Sequence, residues 1–213
     1  MQIQWLGQSC FKIQTKHDGN DITLITNPID ESCGLKSVRS QADIVIMTDG
    51  NKEKDRLADI KGEPFIIKNS GEYETKDIFF YGVPVFPTKE NGAKKVSSIF
   101  NIKIEGLHLA FLGDLNSPLN AEQLDRLSNI DILFVPIGGN GVLNAEAADK
   151  VINEIEPRVV IPTNYHIEGL KIKADSSDIF IKTIGISPET VDKFKISKKE
   201  LDPEKTKVIL FNI

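Results

Sequence analysis

With 213 residues, 40% of them hydrophobic and 27% charged, the chain carries enough apolar side chains for one core and too many for a disordered polymer. Its formal net charge of -5 gives bulk electrostatics no hold on nucleic acid or an anionic bilayer, so neither is expected as a partner. No stretch approaches the roughly 18 apolar residues that cross a bilayer, and the opening MQIQWLGQSC lacks the basic and apolar halves of a secretion signal. A cytoplasmic, single-domain protein spanning 1–213 is expected, with Cys10 and Cys33 as reduced, packed thiols.

Short apolar or alternating runs fill the first half: QIQWLG, CFKIQT, DITLIT, DIVIMT, PFIIK, IFFYGVPVF, SSIFNIKIEG and LHLAFLG. Each is strand-length, rich in β-branched and aromatic residues, and bounded by Gly, Asn, Asp or Pro. From Asn120 the period lengthens. Asn120 reads as an N-cap with Gln123 three residues on, and Leu124 and Leu127 share a face. DILFVPIGG follows as a buried strand ending in a glycine turn. NAEAADKVINEIEP then forms a helix with Ala148, Val151, Ile152 and Ile155 in one stripe. RVVIPTNY returns to strand, SSDIFIKTI reads as a further helix, and DPEKTKVILFN closes with a strand. A strand, glycine turn, helix and strand in that order is a βαβ unit, whose ligand sites gather at strand ends. The loops after Met47, Leu112, Pro136 and Ile161 are therefore the ones to examine.

Those loops hold Asp49, Asn51, Glu53 and Lys54 in TDGNKEKD, Asp114 in FLGDLN, and Asn164 and His166 in IPTNYH. With WLGQSCFKI, SGEYE, LGDL, VPIGGN and IPTNY, the chain resembles the metallo-β-lactamase superfamily, in its small archaeal and bacterial branch of uncharacterised hydrolase-like proteins. The resemblance runs nearly end to end. It implies an α/β (α+β) four-layer αββα sandwich with a metal site at one edge between two facing sheets.

The family's metal turn, T-H-x-H-x-D-H, falls on TDGNKEK with Thr48 in register. Asp49, Asn51 and Lys54 then stand where histidines belong, and Glu53 where the aspartate belongs. A later histidine falls near Pro87, the bridging aspartate on Asp114 and the last histidine on Asn164, while Asn27 replaces a common aspartate. Only Asp114 keeps the usual ligand. Zinc binds tightly through imidazole and thiolate, so this set removes most of the affinity, and neither zinc nor another cofactor is expected.

The resemblance together with these substitutions implies a catalytically degenerate protein with a binding or scaffold role. Asp49, Asn51, Glu53, Lys54, Asp114 and Asn164 would line a vestigial pocket, its ligand an unidentified small molecule or protein. No residue is assigned to catalysis or to a metal. Lys54 is expected to supply the missing cation among Asp49, Glu53 and Asp114, against the plainer reading of NKEKDR as a solvated turn leading into a short helix. The alternative is a metal-dependent hydrolase using a hard cation such as magnesium, manganese or calcium, since these donors are oxygens. Ser9 and Cys10 read as structural, His17 as a hairpin-loop residue, His166 as a surface residue and GGN at 138–140 as a tight turn at the rim. Homo-oligomer formation is left open.

Overall fold

The structure is a computed structural model that describes residues 1–49, 53–86 and 96–212, and of Glu53 the backbone alone. In chain order the first half runs β1 (Gln2–Gly7), β2 (Cys10–His17), β3 (Asn20–Thr26), β4 (Ser40–Gln41), β5 (Ile44–Ile46), α1 (Glu53–Leu57), β6 (Ile60–Lys61), β7 (Phe65–Ile67), β8 (Gly71–Thr75), β9 (Ile78–Val85), β10 (Ser97–Ile104) and β11 (Leu107–Phe111). The second half runs α2 (Ala121–Arg126), β12 (Ile132–Pro136), α3 (Ala145–Ile155), β13 (Val159–Thr163), α4 (Ser177–Ile184), β14 (Glu189–Val191), β15 (Phe194–Lys195) and β16 (Lys207–Phe211). There are two sheets of six and eight strands, ordered β15-β1-β2-β3-β5-β7 and β14-β16-β13-β12-β11-β10-β9-β8, and a separate small β4-β6 ribbon.

Burial explains which runs alternate and which do not. β1 pairs with β2 in antiparallel register and buries Ile3, Trp5 and Gly7 while its other residues are half-buried. β12 and β13 are parallel and buried at every position, because helices cover one face and the opposite sheet the other. Phe11 from the six-stranded sheet meets Phe134 from the eight-stranded sheet edge-on, with ring centroids 4.8 Å apart. Phe111 touches the same ring at 5.9 Å, and Trp5 lies 4.6 Å from Tyr165. This aromatic seam holds the two sheets face to face.

The outer layers are unequal. α2 sits over the eight-stranded sheet, where Arg126 stacks on Tyr81 and Gln123 donates to the Pro84 carbonyl. Its start has the expected reciprocal cap between Asn120 and Gln123. α3 packs on β12 and α4 packs on α3. Over the six-stranded sheet the cover is thinner. Val45 and Met47 there bury a second apolar cluster with Cys10, Ile25, Ile29 and Ala42, closed by Leu57 of the five-residue α1 and by Leu35, Val38 and Ile60. The expected αββα order is present with this asymmetry. β14 and β15, short strands at sheet edges, and the β4-β6 ribbon were not foreseen, since two or three residues carry no readable period, and SGEYE, expected as a turn, supplies the edge strand β8, which has no buried residue.

Replacing Phe134 with alanine would empty the centre of the aromatic seam. A loss of about 3–5 kcal/mol in unfolding free energy is expected, measured as a lowered urea midpoint.

Candidate functional site

Strands end together at one edge of the sandwich. β3 runs parallel to β5, and β11, β12 and β13 run parallel to one another, so their carboxyl ends deliver Asn27, Thr48, Asp49, Asp114, Gly138 and Asn164 to the same region. The β1–β2 turn adds Gln8 and Ser9. A cleft of about 330 Å³ opens there, walled by the loop at 27–33, by Asp49 and Arg56, by the 139–142 turn and by the 172–174 segment after β13.

The floor is a hydrogen-bonded chain of side chains. Asn27 Nδ2 donates to Thr48 Oγ1 at 2.8 Å and to Ser9 Oγ at 3.0 Å, while its Oδ1 accepts the Thr48 amide at 2.8 Å. Ser9 Oγ donates onward to Asp114 Oδ1 at 2.9 Å. Asn164 Nδ2 donates to the same oxygen at 2.8 Å, and Thr163 Oγ1 donates to Asn164 Oδ1 at 2.8 Å. Five hydroxyl or amide side chains in this network, Ser9, Asn27, Thr48, Thr163 and Asn164, are buried. Each is satisfied by a neighbour, as burial requires.

The backbone beneath is unusual. Gln8, Asn27, Asn140 and Asn164 have φ of 52°, 36°, 49° and 59°, in the left-handed region that asparagine tolerates better than most residues. Gly138 lies so close to Asn164 that an added Cβ would sit 1.9 Å from its carbonyl oxygen. That contact fixes the β12 and β13 ends against each other. Gly113, with φ of 56°, lies against Thr48, where a Cβ would come within 2.4 Å of the side chain.

The cation in this cleft is arginine. Arg56 Nη1 donates to Asp49 Oδ1 at 2.8 Å and its Nε donates to the Pro28 carbonyl at 2.7 Å, leaving 10% of the side chain exposed. Lys54, expected in this role, is exposed and does not line the cleft. Helix α1 begins at Glu53 and turns Lys54 and Asp55 outward while Arg56 and Leu57 face the protein. The signal lay in residue type: a planar guanidinium suits a desolvated carboxylate pair better than an ammonium. Asp49, Asp114 and Asn164 meet in the cleft. Asn51, the side chain of Glu53, and Pro87 lie outside the described residues. Gln8, Lys173 and Cys33 also reach the cleft, and no local pattern marks them, because loops distant in sequence bring them there.

The donor set does not match zinc. All three histidines of the chain are described, and none lines the cleft. His166 is exposed. His17, at the end of β2, pairs with Asp77 at 2.9 Å and Asp18 at 3.4 Å, and His108 lies on β11. Among the described residues no three His, Cys, Asp or Glu side chains are grouped so as to hold an ion. Asp114 and Asp49, the carboxylates at the strand ends, each have an oxygen engaged by protein donors.

A family model described as the beta-lactamase superfamily domain matches residues 2–164. The chain belongs to that superfamily. A protein of Lysinibacillus sphaericus named as a metal-dependent hydrolase is 26% identical over 198 residues, covering 78% of this chain and 86% of its own. One of the same name from Pyrococcus abyssi is 28% identical over 134 residues, covering 62% of this chain and 59% of its own. A Thermotoga maritima crystal structure, described as a candidate Zn-dependent hydrolase of the metallo-β-lactamase superfamily, superposes with a TM-score of 0.80 at 26% identity, covering both chains completely. The fold is the metallo-β-lactamase fold, and no helix among the described residues is long and apolar enough to cross a membrane.

Two measurements check the site. Asn27→Ala would leave the Thr48 amide and its hydroxyl neighbours without their buried partner, at about 1–3 kcal/mol per unsatisfied group. A fall of that order in urea stability is expected. Burial pushes the Cys10 thiol up from 9.0 to about 12, with Arg56 and the Ile29 backbone opposing. The unfolded chain therefore ionises first, so stability is full below pH 9.0 and falls as pH rises toward about 12. Urea melts across that range are expected to lose this component in Cys10→Ala.

Proposed function

We propose that this chain is a metallo-β-lactamase-fold protein whose zinc chemistry has been replaced, and that its cleft binds a small molecule without metal-assisted hydrolysis. The observation that carries this reading is the fate of the two strand-end carboxylates. Asp49 is committed to the Arg56 guanidinium, and one oxygen of Asp114 is committed to Ser9 and Asn164. Zinc lowers the pKa of a bound water toward about 7 only where several nitrogen, sulfur or carboxylate ligands hold it. Here Asp49, Asn51, Lys54 and Asn164 stand where imidazoles stand in the family pattern, and the fixed positive charge of Arg56 repels a dication.

The relatives' names, metal-dependent hydrolases, keep a hard-cation hydrolase as the second reading. In its favour, Asp30, Asp49 and Asp114 are oxygen donors around one cleft. Against it stands Arg56, which already neutralises Asp49.

Elemental analysis of the purified protein, with a melting series in zinc, manganese, magnesium and calcium, tests the proposal. Far less than one ion per chain and no metal-dependent rise in melting temperature are expected. A stoichiometric ion, or a saturable rise with one of the four metals that Asp114→Asn abolishes, would overturn it.

A further inference from the structure

The cleft holds donors and acceptors in excess of what the protein itself uses. Among the described residues the Arg56 bonds run through Nε and Nη1, and none engages Nη2. Gln8 Nε2 is buried with no hydrogen-bond partner among the described residues, and Gln8 belongs to the cleft wall. A buried amide donor left unpaired costs about 1–3 kcal/mol, so it favours an acceptor arriving from outside. Lys173, exposed on the 172–174 segment, brings a second cation. On the other side the two Asp114 bonds among the described residues both use Oδ1, and none of those residues engages Oδ2.

Charge decides the ligand class. Asp49 is neutralised by Arg56, and Asp30 receives the Ser32 amide. A plain anion would meet Lys173 and Arg56 but also the charge of Asp114 and Asp30. A plain cation would meet Arg56. A molecule with an oxyanion at one end and a hydrogen-bond donor at the other satisfies both.

We propose that the cleft binds a small dipolar metabolite. Its carboxylate or phosphate takes hydrogen bonds from Arg56 Nη2, Gln8 Nε2 and Lys173 Nζ, and its ammonium or hydroxyl donates to Asp114 Oδ2. This assignment rests on the metal-free reading above and names the ligand class of that same cleft. A volume of about 330 Å³ sits at the low end for ligand sites and suits a compact molecule.

The test is titration of the full chain with O-phosphoethanolamine and β-alanine, followed by melting temperature and by amide chemical shifts. Inorganic phosphate, acetate and ethanolamine serve as single-ended controls at matched ionic strength. A saturable response is expected for one or both dipolar probes, the stronger one identifying phosphate or carboxylate as the oxyanion, with weaker binding of each control. Lys173→Ala, at an exposed position that leaves folding intact, is expected to weaken that binding about tenfold, the loss of one charge-assisted bond. Arg56→Lys, if folded, is expected to weaken it further. No saturable response to any probe, controls binding as well as the dipolar probes, or Lys173→Ala binding unchanged would each overturn the assignment. Metal content measured on the same sample separates the two failures. A metal-free protein that ignores every probe sinks the ligand class alone, whereas a stoichiometric ion sinks the reading beneath it.

Discussion

A guanidinium with nine-tenths of its side chain withdrawn from water must be neutralised where it sits, and Arg56 meets that demand through Asp49 and the Pro28 carbonyl. This ion pair ties α1 to the end of β5 and to the loop that follows β3. It also engages one carboxylate oxygen of Asp49. The rest of the cleft is arranged around that commitment: with the charge settled on one wall, the floor is completed by neutral amides and hydroxyls, and Asp114 is held by two of them. Removing Asp49 would leave the Arg56 charge nine-tenths buried without its carboxylate, so the guanidinium depends on this partner.

Much of the fold was legible because its elements follow simple periods. The β1–β2 hairpin alternates, and β12 and β13 read as unbroken apolar runs because both faces are covered. α2 announced itself through Asn120 and Gln123, and α3 through a stripe whose Ala148, Val151 and Ile152 are buried. α3 itself stops at Ile155, two residues inside the expected run, with Glu156 left-handed at its cap. What stayed hidden was the thin cover over the six-stranded sheet. That layer depends on scattered contacts from Leu35, Val38, Leu57 and Ile60, which no local pattern encodes.

The site was legible in outline and not in its chemistry. Strand ends are predictable places for polar residues, so Asp49, Asp114 and Asn164 stood out from the loops that carry them. The identity of the buried cation was not, because Lys54 and Arg56 lie two residues apart on a helix of five and a small change of register decides which one enters. Gln8 and Lys173 contribute through tertiary approach of loops more than 160 residues apart in the chain, a relation that sequence order conceals.

The left-handed backbone at Gln8, Asn27, Asn140 and Asn164 has an effect on how this cleft can drift over generations. A β-branched replacement at any of the four would be strained whatever the cleft contains, so the turns favour residues that tolerate the left-handed region, aspartate and histidine as well as asparagine and glycine. The path of the chain thus narrows the side chains that can stand here, independent of what the cleft holds. A lineage that abandoned one chemistry here would keep a ready-made set of hydrogen-bonding groups from which to begin another.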